Sequence, residues 1–385
     1  MSPSASGLVP ETAPQRLTIE SVEARVFEAP VPLQVSFGAL TVRRMCLVSV
    51  AAGGYVGRGE SWVNWPSWAY AERVATIRHG VAPLVVGADA LDRDGVIARL
   101  EEVLLPLGRQ WGAPGPIWQA ISAVDVALWD LASQIAGRSI GQTLHADSRS
   151  RVPVYASGVG PSDVTLLMER ALEQGFTAAK LKVGFGIDAD LRIIKEARSV
   201  AGDSFVLYAD ANRAWSMDEA KAMMPVLSDH GIVWCEEPLS DDSPECFHEL
   251  FEASGMPLAL GENVYGIDVA TRYMQCAGVT QIQPDVAKTG GITMIMKCGE
   301  QAHGRETFVS PHSYGSAFGV LATLQAASAV EGLGVLELDV RDNPFRTGLF
   351  ASPLRITDGY LDVPRGVGFG VPIDEDFLAA MEIAP

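Results

Sequence analysis

Between about residues 152 and 340, short apolar and β-branched runs recur at a nearly constant interval. The runs VPVYAS, AAKLKV, FVLYADAN, IVWCEEP, PLALGEN, TQIQPDV, ETFVSPHS and GVLELDV begin at 152, 178, 205, 232, 257, 280, 306 and 334. Each start follows the last by 23 to 28 residues, room for a strand, a loop and a helix of three turns. Strands alternating with helices predict a parallel sheet, and eight such units predict a closed (β/α)8-type barrel. An open doubly wound sheet would want a glycine-rich fingerprint after its first strand, and none is present.

The first 145 or so residues break this rhythm. LTIESVEARVFEAP, RMCLVSVAAGG and GYVGRGES alternate apolar and polar positions, which predicts an antiparallel meander. Helical periodicity follows at about 68–85, 94–105 and 118–135; in the last stretch Ile121, Val124, Leu128, Leu131 and Ile135 share one face. After Val340 the chain turns loop-rich. The fold class is therefore α/β, with four segments. Residues 1–16 form a disordered tail, 17–148 an α+β domain, 149–345 the barrel and 346–385 a return to the first domain.

Composition narrows the function. Of 385 residues, 48% are hydrophobic and 20% charged, the profile of a chain with a large core. The net charge of −18, from 29 basic and 47 acidic residues, repels phosphate backbones and anionic bilayers, so no nucleic-acid or membrane partner is expected. The N-terminus has neither the basic region nor the apolar stretch of a secretory signal. The five cysteines contain no CxxC pair and suggest neither disulfides nor zinc. A cytoplasmic location follows.

In a barrel, chemistry gathers where the strands end and the βα loops begin. Lys180 and Lys182 stand two apart on the second strand and so point to one side. The next three strands end in acids at Asp210, Glu236 and Glu262, spaced by 26 residues each time. Three carboxylates at one rim repel unless a cation neutralises them, and all-oxygen donors select Mg2+ first, with Mn2+ or Ca2+ behind it. Gln281, Gln283 and Asp285 alternate along the sixth strand, and His312 follows one unit later. A carboxylate that fixes the imidazole tautomer makes His312 a candidate base.

These residues carry a resemblance. The K-x-K of Lys180 and Lys182, the D-A-N, E-E-P and G-E-N strand ends, Pro284-Asp285 with Lys288-Thr-Gly-Gly, and His312 together resemble the mandelate racemase branch of the enolase superfamily. The likeness runs from about Leu17 to Ile373. It implies a barrel capped by the α+β domain, with the C-terminal segment completing the cap. It also implies Mg2+ held by Asp210, Glu236 and Glu262, and removal of the proton α to a substrate carboxylate to give an enediolate. Lys182 would be the base on one face and His312, oriented by Asp285, the base on the other. Lys180, Ser157 and Asn212 would contact substrate, and Glu337 would donate a hydrogen bond to the enediolate. Sites of that superfamily use a Lys or His base with one or two Mg2+ ions, and the residues found along this chain are consistent with that chemistry. Lys180 and the ion should lower the proton affinity of Lys182.

Two cap segments, VPLQVSFGALTVRR and ESWVNWPSWAY, should close over the pocket with Phe37, Leu40, Trp62, Trp65 and Trp68. These aromatics belong either to the cap core or to an apolar lid, with Phe37 and Trp62 as the substrate contacts. The two bases and an apolar lid incline the reading towards a racemase or epimerase of a 2-substituted carboxylate. Acid-sugar dehydration and cycloisomerisation use the same residues and stay open. A non-catalytic carboxylate-binding barrel would not retain this set of acids and bases. The expected partners are a small carboxylate substrate and further copies of the chain in a homo-oligomer.

Overall fold

The computed structural model describes residues 16–35, 38–241, 243–349 and 354–384. Residues 1–15 of the predicted tail, and Phe37, lie outside them. Three long strands, β1 (Ile19–Val35), β2 (Gly38–Ala52) and β3 (Tyr55–Ser61), pair antiparallel as the alternation predicts. Three helical stretches pack behind them. One runs from Ala69 to Val85 with a π-helical turn at Thr76–Val81, and the others are Arg93–Trp111 and Pro114–Ala136. The second is capped by Asp92, whose carboxylate accepts from the Gly95 amide at 3.1 Å.

The 114–136 helix lies so close to β3 that two glycines become obligatory. A Cβ at Gly57 would sit 1.9 Å from the Ala127 carbonyl oxygen, and one at Gly59 would sit 2.0 Å from that of Ala123. Backbone cannot yield as a flexible side chain does. Gly59→Ala is therefore expected to destabilise the protein by about 2 kcal/mol or more, measured as a lowered urea midpoint at unchanged slope. An unchanged midpoint would mean that the helix can shift away freely.

Eight parallel strands make the barrel: β4 (Arg151–Val159), β5 (Ala178–Lys182), β6 (Val206–Asp210), β7 (Ile232–Glu236), β8 (Leu258–Leu260), β9 (Val279–Ile282), β10 (Phe308–Val309) and β11 (Leu336–Asp339). Neighbours pair in sequence order, and β11 pairs with β4. Closure between β10 and β11 runs through Val309 N to Gly332 O at 2.9 Å, Gly334 N to Val309 O at 2.9 Å and Glu337 N to Pro311 O at 3.3 Å. Side chains of alternate residues fill the two surfaces. Leu181 and Val183 join the core between strands and helices, whereas Tyr155, Tyr208, Trp234 and Ala259 fill the barrel lumen. Tyr208 and Trp234 stack there with centroids 4.2 Å apart, and the Tyr155 edge meets both rings. This aromatic plug is the floor on which the charged residues stand.

After the barrel a hairpin, β12 (Ile356–Thr357) with β13 (Tyr360–Asp362), adds antiparallel to the start of β4. The last strand, β14 (Glu382–Ile383), joins the cap sheet beside β1. Cap and barrel are tied by buried polar contacts. Glu60, at the end of β3, accepts from the amides of Ser316 at 2.9 Å and Gly319 at 2.8 Å at the N-terminus of helix Ala317–Ala329. A carboxylate there satisfies amides that have no partner within the helix and meets the positive end of its dipole. Ser122 and Asp125 of the cap receive the amides of Gly290 at 2.8 Å and Thr293 at 3.0 Å. Among the described residues no helix is long and apolar enough to cross a membrane.

Candidate active site

The C-terminal ends of the strands meet under the cap in a cleft. Trp62, Trp65, Ser157, Gly158, Gly160, Lys182, Asn212, Glu262, His312, Tyr314, Glu337 and Arg341 line it. Register places the first charged residues side by side, with Lys182 opposite Asp210 and Asp210 opposite Glu236. Glu262 is offset. The β7 partner of Glu236 on β8 is Ala259, so Glu262 stands three residues beyond the shared level, in the loop. Gly261 makes that departure possible. Its φ is +148°, and a Cβ there would lie 2.4 Å from the Gln283 amide nitrogen.

Lys180 is 1% exposed and does not line the cleft. Its ammonium lies beneath, 2.6 Å from Glu236 Oε2, 3.0 Å from Glu337 Oε1 and 3.5 Å from Asp210 Oδ2. Burial alone would lower its proton affinity, but Glu236 and Glu337 outweigh burial and hold it well above the ordinary lysine range. Lys182 reaches the cleft, donating to Asp210 Oδ2 at 2.5 Å and Asn212 Oδ1 at 2.9 Å. Lys180 lowers the proton affinity of Lys182, as expected, but it does not set the net direction. Burial and Lys180 do act downward, but contact with Asp210 overrides them and raises it.

His312 stands between acids. Its Nδ1 is 2.5 Å from Asp285 Oδ2, which fixes the ring, and its Nε2 is 2.7 Å from Glu262 Oε2. Burial disfavours the imidazolium, yet Glu262 and Glu337 raise its pKa well above the usual value. Glu337 accepts from the Ser157 hydroxyl and from the Ser313 amide at 3.3 Å. Burial raises its pKa, but Lys180 and His312 prevail and bring it down to about 2.

The balance of charge says what else this site could hold. Among the described residues Asp210, Glu236, Glu262, Asp285 and Glu337 face Lys180, Lys182, Lys288 and His312, an excess of negative charge. Glu236 shows the strain most. Buried, and facing Asp210 as well as its share of Lys180, it is pushed up to about 8. Its Oε1 is buried with no hydrogen-bond partner, as is Oε1 of Gln283, whose Nε2 donates to Glu236 Oε2 at 2.6 Å. Orphaned carboxylate and amide oxygens beside surplus acids fit a hard divalent cation. As the side chains are placed, Asp210 turns to Lys182 and Glu262 to His312 and Lys288, and no three such residues among those described form a ready ligand group.

Residues 19–144 match the N-terminal domain of the mandelate racemase / muconate lactonizing enzyme family, and residues 163–377 match its enolase C-terminal domain-like unit. The chain belongs to the mandelate racemase / muconate lactonizing enzyme family. It is 30% identical to the D-galactarolactone cycloisomerase of Agrobacterium fabrum over 76% of this chain and 81% of that one. It is 29% identical to the arabinonate dehydratase of Saccharolobus solfataricus over 83% and 85%. Its fold superposes on a racemase from Streptomyces coelicolor A3(2) solved with bound magnesium, with TM-score 0.83, 26% identity and coverage of 95% and 100%. This member of the family is accordingly an enzyme, an isomerase or hydro-lyase.

Several residues of this family member's site were given no role from sequence, Lys288 and Glu237 having been quoted only within motifs. Lys288, in the K-T-G-G run, donates to Asn263 Oδ1 at 2.9 Å and contacts Glu262 Oε1 at 3.3 Å. Glu237, the second acid of E-E-P, is buried beside Glu262 and Asp210 and raised to about 7, with burial the main cause. Its φ of +37° is a conformation that non-glycine residues rarely take. Doubling of the acid was its only signal. Tyr314 and Arg341 gave none. The cap aromatics divide: Trp62 and Trp65 line the cleft, while Trp68 is 67% exposed. Trp62 is carried in by its amide, which donates to Ala287 O at 3.2 Å. Its ring lies 6.0 Å from that of His312 and 4.7 Å from the Lys288 ammonium.

Proposed function

We propose that this enzyme removes the proton α to the carboxylate of a polyhydroxylated acid or its lactone and completes the reaction by β-elimination. One observation carries the choice of substrate class. Of the twelve residues that line the cleft, Ser157, Lys182, Asn212, Glu262, His312, Tyr314, Glu337 and Arg341 are polar or charged. A lining of this kind suits a substrate that carries several hydroxyls of its own better than it suits an apolar acid. The cycloisomerase and dehydratase relatives support the same class by name.

Asp210, Glu236 and Glu262 would hold Mg2+, the ion present in the S. coelicolor racemase structure. When bound, the ion supplies positive charge against the second negative charge that deprotonation creates. Lys182, as the neutral amine freed from Asp210, takes the α-proton from one side. Glu337 and Ser157 stand at the carboxylate end, with Lys180 setting the charge of Glu337 from below. His312, fixed by Asp285 at Nδ1, presents Nε2 to the cleft and delivers a proton to the departing β-oxygen.

A second reading, racemisation or epimerisation, is favoured by Lys182 and His312 projecting from strands on different sides of the barrel, since two bases suffice for 1,1-proton transfer. Product analysis separates the two. Sugar acids, their lactones and racemic 2-hydroxy acids are incubated with Mg2+ in D2O, and carbonyl products are trapped with semicarbazide. A trapped 2-keto-3-deoxy acid, or lactone ring opening, is the expected result. Loss of optical activity with deuterium at Cα and no such product would establish the second reading instead.

A further inference from the structure

Trp62 reaches the cleft on a segment gripped from both sides. At the end of β3 successive side chains point to opposite faces. Ser61 turns towards the cap helices, where the buried Arg73 guanidinium donates to its hydroxyl, to Trp62 O at 3.0 Å and to Gln119 Oε1 at 2.7 Å. Glu60 turns the other way, into the barrel. Its Oε1 accepts from the Ser316 amide at 2.9 Å, and its Oε2 accepts from the Gly319 amide at 2.8 Å and from the Ser316 hydroxyl.

The barrel is shaped to receive that carboxylate. A Cβ at Gly315 would lie 3.0 Å from Glu60 Oε1, and one at Gly319 would lie 2.9 Å from Oε2. Gly319 sits inside the helix Ala317–Ala329, where alanine is the better helix former. Local helix stability is given up at the point where the carboxylate docks. Every residue from Ala317 to Ser328 is buried, so the amides at the start of this helix depend on Glu60 for an acceptor.

Two arms of the cleft hang on this seat. Glu60 lies two residues before Trp62, and Ser316 lies four residues after His312. The rings of Trp62 and His312 meet with centroids 6.0 Å apart. Asp285 and Glu262 fix the imidazole at its nitrogens, but the backbone that carries it is held by Ser313 N on Glu337 at 3.3 Å and by Ser316 N on Glu60. Lys182 stands on β5 against Asp210 and Asn212 and shares none of these contacts.

We propose that Glu60 is a positioning residue: by seating the end of β3 on the start of the 317–329 helix, it sets the place of His312 under Trp62 and so the proton transfer that His312 performs. The proposal rests on the reading that gives His312 a proton-transfer role, and adds to it a residue of the cap that touches no substrate.

The test uses Glu60→Gln and Gly319→Ala in the full-length enzyme with Mg2+. The first leaves one acceptor oxygen for two amides. The second crowds the carboxylate from the barrel side while favouring the helix itself, so it reports even if Glu60→Gln folds poorly. Exchange of the α-proton into D2O is followed separately for substrates epimeric at C2. Both variants should lose about 30-fold on the epimer served by His312 and no more than about 3-fold on the epimer served by Lys182. A residue that merely stabilised the fold would lower both alike. Amide hydrogen exchange gives a readout independent of turnover: segments 60–65 and 312–319 should lose protection together, while 178–182 keeps it. That joint loss supports Glu60 as the residue that places the His312 segment even if His312→Asn shows no preference between epimers, a result that would sink the proton-transfer role of His312 alone. Unchanged protection at 312–319 in both variants, or equal exchange losses on the two epimers, overturns the positioning role.

Discussion

Replacing Lys182 by alanine or His312 by asparagine is expected to lower α-proton exchange about 10³-fold, each on a different face of the substrate carbon, His312 acting there in its unprotonated form and not as the acid of the elimination. Both side chains line the cleft, from strands on different sides of the barrel. A proton beside a carboxylate is so weakly acidic that no bulk base removes it at a useful rate. A positioned amine or imidazole therefore supplies a large share of the acceleration. Exchange into solvent D2O, followed by NMR separately for substrates epimeric at C2, reads each base apart. Lys182→Ala should spare the epimer served by His312, and His312→Asn the reverse. Equal loss on both epimers would show that one residue is not a base. Far-UV circular dichroism guards against unfolding, which matters most for His312, whose loss leaves Asp285, Glu262 and Glu337 without a shared partner.

Removal of divalent metal is expected to have the second large effect. EDTA should abolish turnover and Mg2+ should restore it. Stability gives a separate readout, because an ion that binds only the folded state raises stability by about 2.7 kcal/mol at a hundred times its Kd. Mg2+ should therefore raise the Tm of the wild type. Glu236→Gln or Glu262→Gln should weaken that rise while the fold survives. For Glu236 the physical reason is specific. Its carboxyl is buried, has an oxygen without a partner, and shares Lys180 with two other acids. The amide removes a charge that the metal-free protein tolerates poorly, so Glu236→Gln should also be at least as stable as the wild type in EDTA. Full activity in EDTA, or a Mg2+ shift unchanged in both variants, would overturn the assignment of these acids.

Much of this architecture was legible along the chain, for a local reason. A βα unit repeats its apolar strand and its polar strand end at a period set by strand and helix lengths, so sequence spacing alone located Lys180, Lys182, Asp210 and Glu236. The same arithmetic misled at Glu262. An equal interval of 26 residues hid an offset of three, because β8 is short and Gly261 turns the chain before the acid is reached. The pairing of Asp285 with His312 was readable from their places on adjacent strands, and a bridge joins those two residues directly.

What the chain could not reveal depends on contacts between distant segments. Trp62, Trp65 and Trp68 look equivalent in sequence, yet only the seating of the cap on the Ala287 loop decides which face the cleft. Lys180 and Lys182 point to the same side, but burial under Glu236 and Glu337 takes the first out of the cleft and leaves the second in it. The Tyr314 side of the cleft is wholly tertiary. Arg43 comes from the cap, Tyr314 from beyond β10 and Arg341 from beyond β11, and nothing in the local pattern of any one of them points to the others. Periodicity determined which residues stand at the strand ends, because side-chain direction along a strand is a property of adjacent residues. Which of them meet in the cleft was decided by how the cap packs on the barrel, since packing joins residues that sequence separates by hundreds of positions.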